Sequence, residues 1–424
     1  MKLTKMSLVV AALLIGSSAF AIENTKISGD AKLFYSTQDN EYDSSYAKTD
    51  SGLFNKPTSM GEAALAIGLT TDLTEGVSAG ATLNAITTLG LYNNLVGATW
   101  TGGTEDTFLF SEAWLAGTAG KTTAKVGRMQ LDTPLVFSET WSVLPSTFES
   151  AVLINQDIPD TTLVGAFVGQ YNAPSVLGGG LSNNASSFES FYDGAYTVGA
   201  INNSFEPLTA QAWYYNADAS KDLTDANTTF LTGVQTYWLQ ADLSMDGILA
   251  GAQYTSINYD AAVLGANKSF DNDAYAFMLG YEMKDTFTAK VSYSKVGEEK
   301  DSGLALGAGS NLAGSQSKLY TEAWWYYGKI TQADTTAYNV TLTAPVAGYD
   351  LGVYYTHATT GDNGVTGVSD KDFSEATFEV ARSFGPLDVG VYYIYTKSDM
   401  DNQKDANTDG DAYNTVQVYL TYNF

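Results

Sequence analysis

The sequence contains no cysteine, eight prolines and one histidine among its 424 residues. Without cysteine the chain can form neither a disulfide nor a thiolate metal site, so an exported protein of this length must depend on its own hydrogen-bond network. A single histidine, His357, cannot build a histidine-rich metal site or a visible base–nucleophile pair. No phosphate-binding glycine loop or nucleophile elbow is present either. We therefore expect no enzymatic activity.

Positive charge is also scarce. Arg128 and Arg382 are the only arginines, and the formal net charge is −26. Removal of Lys2 and Lys5 with an N-terminal signal would make the mature charge −28. Binding to nucleic-acid phosphates requires lysine and arginine, so this acidity excludes a nucleic-acid partner.

Long apolar runs are missing after residue 21. Before it, Lys2 and Lys5 precede an apolar stretch, 6–15, and small residues end the segment at Ala19-Phe20-Ala21. This is the pattern of a secretory signal peptide, and the apolar stretch is shorter than the ~20 residues that a membrane-spanning helix needs. We predict a cleaved signal at 1–21 and one exported domain at 22–424.

The C-terminal segment 415–424 alternates between apolar and polar residues. Its apolar positions end on Tyr422 and Phe424. A period of two predicts a strand with one apolar and one wet face, as a membrane β-barrel requires, although a soluble β protein can also end on a strand. The aromatic end resembles the signal that the barrel-assembly machinery recognises, so we assign Tyr422 and Phe424 to assembly.

Further strand-like segments alternate between short joins rich in Gly, Pro, Asn and Asp and long polar joins. This layout predicts an all-β transmembrane antiparallel barrel of about 18 strands, with short periplasmic turns and long extracellular loops. Sixteen strands is the alternative. The segment 318–330 could form one more strand, but an odd total would place the chain ends on opposite sides of the membrane, so we assign it to the seventh outer loop.

If the apolar positions face lipid, the other register lines the lumen. A charge facing lipid at mid-depth would cost ~2–4 kcal/mol, so strand charges should point inward. Nine acids against three lysines predict an electronegative, cation-preferring lumen. The inward set is Asp30, Glu62, Glu112, Asp242, Glu282, Asp350, Glu375, Glu379, Asp388, Lys32, Lys125 and Lys290. For Arg128, in the lipid-facing parity, we expect a bulge that turns it inward; Arg382 lies near the periplasmic rim and can snorkel.

The third loop, 132–148, is half apolar and carries acids, so it should fold against the lumen wall instead of standing in solvent. An ordinary ordered surface loop is the alternative. Together with the wall, it defines the expected constriction. The candidate residues are Arg128, Asp132, Glu139, Glu149, Glu112, Lys125, Glu282, Lys290, Glu375 and Glu379.

Several segments carry a resemblance to a known family. They are Gly127-Arg128, 131–134, 144–149, 153–157 and the terminal Phe424. They resemble OprD-type outer-membrane porins, above all epsilonproteobacterial Opr-family and major outer-membrane porins. The resemblance implies an 18-stranded barrel, an inward third loop and homotrimers. Two arginines cannot make the arginine ladder of the selective members, so their substrates are not carried over.

One weak cation-binding pattern remains. Asp405, Asn407, Asp409 and Asp411 match the first half of a calcium loop, but the twelfth position is Val416 instead of Glu. We expect an acidic outer loop and no cofactor, with Ca²⁺ as the weaker alternative.

The sequence thus favours an outer-membrane porin that passes small hydrophilic solutes and cations. The alternative is an adhesin or receptor barrel whose outer loops bind a partner. In either case lipid and lipopolysaccharide surround the barrel.

Overall fold

The computed structural model describes residues 23–39, 52–99, 107–172, 188–218, 230–263, 266–299, 308–309, 316–362, 370–399 and 412–424. The predicted signal peptide and the candidate calcium residues of 405–411 lie outside these ranges. Two short 3-10 turns occur, at Lys56–Thr58 and Lys329–Thr331. The strands are β1 Glu23–Gln38, β2 Ser59–Thr74, β3 Val77–Thr87, β4 Thr107–Ala119, β5 Thr122–Met129, β6 Thr147–Asn155, β7 Thr161–Asn172, β8 Glu189–Phe205, β9 Leu208–Asp218, β10 Phe230–Met245, β11 Ile248–Val263, β12 Ala266–Met283, β13 Phe287–Val296, β14 Thr335–Val346, β15 Tyr349–Thr360, β16 Lys371–Phe384, β17 Leu387–Ser398 and β18 Ala412–Asn423.

The strands form one closed antiparallel barrel. Each pairs with the next along the chain, and β1 also pairs with β18, from Asp30↔Asn423 to Gln38↔Thr415. Closure leaves no unpaired sheet edge, so every strand has neighbours for its backbone hydrogen bonds. The prediction of 18 strands is confirmed, and the alternative of 16 is wrong.

The two faces of the wall differ in chemistry. On β12, Phe277 is 53% exposed and Leu279 59% exposed, whereas Ala274 and Ala276, at the alternate positions, are at most 1% exposed. The same alternation runs through the other strands, so large apolar side chains cover the outside and the lumen face carries most of the buried polar groups. An apolar exterior on a closed barrel is the surface that a bilayer core requires.

The short joins are tight turns. Asp246 and Gly247 connect β10 to β11, with φ angles of 53° and 84°. Two successive positive φ values are typical of a type I′ hairpin, which Asp-Gly adopts readily because glycine has no Cβ to clash.

The ambiguous segment 318–330 is not a strand; it contains turns and the 3-10 turn Lys329–Thr331 between β13 and β14. Within the described ranges, no helix is long and apolar enough to cross a membrane.

Candidate functional site: a lumen with two inserted loops

The predicted third loop, 132–148, corresponds to residues 130–146 in the structure, because β5 ends at Met129 and β6 begins at Thr147. It lies against inward-facing strand side chains. Leu135 and Leu144 are at most 1% exposed, and each belongs to a buried cluster that includes inward strand residues such as Trp238 or Phe34. The backbone N–H of Leu135 donates to the Tyr215 hydroxyl of β9 over 3.4 Å. This loop therefore occupies part of the barrel interior.

Most polar contacts of the third loop are internal. The Glu139 carboxylate accepts the backbone N–H groups of Trp141 and Ser142 over 3.0 and 3.2 Å. The Ser146 hydroxyl accepts the N–H of Glu139, and the Ser142 hydroxyl donates to the carbonyl of Leu144. Burial raises the pKa of Glu139 to about 8, although these amides partly oppose the shift.

The seventh loop, defined here as 297–334, also enters the barrel in its described part, 316–334. Its contacts are mainly with the wall. On β16, the Glu375 carboxylate accepts the backbone N–H groups of Trp325 and Tyr326 over 2.9 and 2.8 Å. On β11, Gln253 donates to the carbonyl of Lys318 and accepts the N–H of Tyr320.

Further wall contacts spread around the barrel. The Tyr320 hydroxyl donates to Asp242 on β10. Thr321 bonds Ser294 on β13 over 2.6 Å, and the Tyr326 hydroxyl donates to Gln38 on β1. These strands lie far apart around the circumference, so the seventh loop extends across the lumen. Sequence reasoning placed this loop outside, although its run of Trp324 to Tyr327 resembles the apolar character used to place the third loop.

Glu322 organises the seventh loop from within. Its carboxylate accepts the N–H groups of Ser317, Ala323 and Gly328, and the Ser317 hydroxyl. Burial raises the pKa of Glu322 to about 7 against the opposing effect of these donors.

The two loops contact each other. The Trp141 and Trp325 rings meet edge to face at 5.1 Å between centroids. Lys318 forms an ion pair with Asp132, and its ammonium lies 4.9 Å from the centroid of the Phe137 ring. The loops together therefore form one partition inside the barrel.

Two cavities lie beside this partition. The first, about 430 Å³, is lined by Trp141 and Trp324 from the loops and by the wall from β15 to β18. The second, about 220 Å³, lies between the third loop, from which Gln130, Thr140, Val143 and Pro145 line it, and the wall from β1 to β4. A solute crossing the barrel would meet both loops and these two wall regions.

The twelve charged strand residues expected in the lumen occupy inward-facing positions. The Glu112 carboxylate accepts a hydrogen bond from the Gln130 side-chain amide over 3.0 Å, and the Lys125 ammonium lies 4.0 Å from the centroid of the Trp114 ring. Glu282 and Lys290 lie on the lumen face of β12 and β13, away from the loop contacts described above. Glu375, by contrast, is 2% exposed and anchors a loop.

Arg128 and Glu149 were expected to face the lumen, but both lie on the outer face. Arg128 lies in the same parity as Val126, which is 52% exposed, and β5 pairs with β4 and β6 without a register shift. The bulge expected at Arg128 is therefore not there. Its guanidinium bonds Glu149 over 2.6 Å and lies 3.6 Å from the Phe188 ring. An ion pair with a ring beside it reduces the cost of the outward position.

The other arginine also faces outward. Arg382 lies 4.7 and 4.9 Å from the rings of Tyr349 and Phe384, near the β16–β17 turn. His357 bonds Ser374 over 2.9 Å, and its pairing partner Tyr338 is 52% exposed, so it too belongs to the outer face. The guanidinium groups of both arginines thus lie on the outer face.

The C-terminal residues close the barrel. Tyr422 and Phe424 are 47% and 55% exposed on the outer face. Phe424 and Gly29 exchange two backbone hydrogen bonds of 2.9 Å, and a Cβ on Gly29 would lie 2.6 Å from the Phe424 ring. Glycine at position 29 is therefore required for this ring position.

Among the described residues, no three Asp, Glu or His side chains lie close enough together to hold a metal ion.

The architecture is that of known porins. No protein-family model and no curated protein matches the chain. Solved structures do. OccK3 (OpdO) of Pseudomonas aeruginosa aligns with a TM-score of 0.66 at 14% identity over 97% of this chain and 99% of its own. OccK1 (OpdK) of the same organism aligns with a TM-score of 0.66 at 12% identity over 95% of this chain and 99% of its own. OccK8 (OprE) aligns with a TM-score of 0.66 at 14% identity over 96% of this chain and 99% of its own. At this identity the likeness establishes the fold.

Proposed function

We propose that this chain is an outer-membrane porin of the OprD type. It would form a water-filled, cation-preferring channel for passive diffusion of small hydrophilic solutes. An exported barrel with an apolar exterior belongs in the outer membrane, where lipid and lipopolysaccharide surround it and the assembly machinery would read Tyr422 and Phe424. The similarity to Pseudomonas porins supports the channel. The link to epsilonproteobacterial porins rests on the sequence resemblance.

The observation that carries the cation preference is the distribution of charge between the two faces. The guanidinium groups of both arginines lie on the outer face, whereas Asp30, Glu112, Asp350 and Asp388 line the two cavities beside the loops. Lys32 also lines the second cavity, beside Asp30, and the Arg382 residue borders the first, so the acids outnumber the lining cations by four to two. Carboxylates inside a low-dielectric wall concentrate cations and repel anions. One structural neighbour, OpdK, was solved with vanillate, a carboxylate. A lumen of this charge is poorly suited to such an anion.

Reversal potentials of single channels across a potassium chloride gradient test the proposal. The wild type should prefer potassium, and the preference should weaken near 1 M salt as the Debye length falls to ~3 Å. Neutralising Asp30, Glu112, Asp350 and Asp388 as Asn or Gln should move the reversal potential toward zero. Lys397→Gln, on an exposed outward residue of β17 that lines neither cavity, serves as the control and should leave the reversal potential unchanged. Chloride preference at neutral pH would contradict the proposal, and a barrel without conductance would favour the adhesin or receptor alternative.

We also propose that the outer face around β5 and β6 is covered by neighbouring copies in a homotrimer. These strands have 8 and 9 residues, the fewest in the barrel. At ~3.3 Å per residue and ~45° tilt they span roughly 20 Å, less than the ~25 Å apolar band of such barrels. Light scattering in detergent should give three chains per particle, and Arg128→Gln with Glu149→Gln should shift the mass toward one. A monomeric wild type would exclude the trimer.

A further inference from the structure

A repeated sequence lies on the wall beneath the seventh loop. β15 and β17 both read Asp-x-Gly-Val-Tyr-Tyr, at 350–355 and 388–393. Strand alternation turns the first, third and fifth residue of each repeat to the lumen. The valines between them, Val353 and Val391, are 40% and 42% exposed on the outer face. Because β16 lies between β15 and β17, the repeats are two strands, or about 10 Å, apart.

The glycines of the repeats fix the tyrosine rings against the wall. A Cβ at Gly352 would lie 2.7 Å from Cε2 of Tyr354, and one at Gly390 would lie 2.8 Å from Cε2 of Tyr392. Each ring therefore covers the glycine two residues before it. On β16 between them, the Glu379 carboxylate accepts the hydroxyl of Tyr354 over 2.6 Å and that of Tyr392 over 3.1 Å. Two ring positions are thus held by one acid.

The inserted loops provide the opposite side of the first cavity. The Trp324 ring stacks on Tyr392 at 4.4 Å between centroids and an interplanar angle of 29°. Trp141, Trp325 and Tyr419 also line the cavity. Its volume of about 430 Å³ lies in the range of small-molecule sites.

The charge of this cavity is negative. Asp350 and Asp388, the first residues of the two repeats, line it. No lysine is among the described residues around it. Arg382 does line it, but the guanidinium of Arg382 lies between the outer-face rings of Tyr349 and Phe384. The cavity therefore joins aromatic faces to two carboxylates, while the guanidinium of its one lining arginine is held against outer-face rings.

We propose that this cavity is a transit binding site for small organic ammonium ions. The proposal rests on the proposed cation-preferring channel and names its solute class. An alkylated ammonium is attracted by the faces of tryptophan and tyrosine and by the carboxylates, whereas a carboxylate solute would be repelled. A neutral sugar could stack on the rings but would gain nothing from Asp350 and Asp388. A bare metal ion is a poor fit, because the two carboxylates are two strands apart.

Choline chloride, added to the periplasmic side of single channels in potassium chloride, tests the site. Choline should interrupt the potassium current in a concentration-dependent way, whereas glucose and sodium acetate at equal concentration should not. Trp324→Leu should weaken the apparent choline affinity at least about fivefold. Asp350→Asn with Asp388→Asn should weaken it similarly.

Two matched variants serve as controls. Tyr392→Phe retains the ring and should retain most of the choline effect. Asp260→Asn neutralises an exposed carboxylate in the outward register of β11, which lines neither cavity, and should leave the effect unchanged. Equal interruption by glucose, or undiminished choline affinity in Trp324→Leu, would overturn the site. Variants are compared only when they run as heat-resistant barrels.

The design separates this inference from the channel itself. Potassium selectivity without any choline effect would reject the binding site and leave the porin intact. If the barrel does not conduct, saturation-transfer NMR of the choline methyl signal with the barrel in detergent still tests binding. Transfer in the wild type that is lost with Asp350→Asn and Asp388→Asn would support the site, and absence of transfer would reject it.

Discussion

The third and seventh loops both lie inside the barrel, but they are held there differently. The third loop makes its polar contacts largely with itself, through Glu139, Ser142 and Ser146, and packs apolar residues against the wall. The seventh loop is fastened by distant strand residues, chiefly Glu375 and Gln253. A loop that satisfies its own backbone can be recognised from its own sequence. The apolar run from Trp324 to Tyr327 is a local sign of burial in the seventh loop, but the partners that fix its position lie far away in the chain and cannot be identified from that run.

Removing each loop in turn should have the largest effect. The loop ends are adjacent in the wall, since Met129 pairs with Phe148 and Lys295 with Thr336, so shortened loops can close. We expect removal of 134–143 to raise single-channel conductance, and removal of 318–330 to raise it more, by at least about twofold, because the seventh loop crosses to more strands.

Both shortened barrels should still assemble, because the wall hydrogen bonds are retained. Unchanged conductance after either deletion would show that the loop concerned does not obstruct the pore.

Weakening the anchor of one loop should have a smaller effect. In the Glu375→Gln variant, the side chain offers a single carbonyl oxygen to two buried amides. One N–H therefore loses its partner, which weakens the docking of the seventh loop by ~1–3 kcal/mol. The seventh loop should leave the lumen more often, and trypsin should cleave after Lys318 or Lys329 about tenfold faster or more.

The matched variant is Glu139→Gln, whose amide partners belong to the third loop. Cleavage of the seventh loop should stay near the wild-type rate in this variant. Equal acceleration by both substitutions would mean that the two loops leave the wall together.

A change of pH should have the smallest effect on the docking of the loops. The two loops should differ in the pH at which half of the effect is seen. The pKa of Glu139 is raised to about 8 and that of Glu322 to about 7, from an ordinary 4.5. An acid whose folded-state pKa is raised binds its proton more tightly when packed, so loop docking strengthens as pH falls through 8 and 7 and weakens as pH rises.

A loop that leaves the wall and returns should make the single-channel current fluctuate. These fluctuations should therefore be rarer at pH 5.5 than at pH 8.5. Glu322→Gln should reduce the component near pH 7, to which Glu375 can also contribute, and leave the one near pH 8. Fluctuations that become more frequent on acidification would reverse the sign and reject this account.

Much of the fold could be predicted from the sequence, because strand alternation and turn residues are local signals. The predicted layout of strands joined by short Gly-, Pro-, Asn- and Asp-rich turns matches, for example, β10 and β11, which Asp246 and Gly247 connect. The inward side of Lys125 follows from the same alternation. Glu112 faces inward although Phe110 faces outward, because a register shift at Ser111 lies between them. The outward side of Arg128 was misjudged because the expected bulge is absent. Its partners, Glu149 and Phe188, become neighbours only in the barrel.

The sequence by itself determined that the strands form a closed barrel. Strands with apolar residues at every second position can pair all their backbone hydrogen-bonding groups in a membrane only if the sheet closes. It also set the acidity of the lumen. Only the tertiary structure decided that the seventh loop lies inside and that the two repeats of β15 and β17 share a cavity with Trp324. These contacts join residues from different strands and loops, and their pairing depends on the barrel's closure and register, which no local pattern encodes.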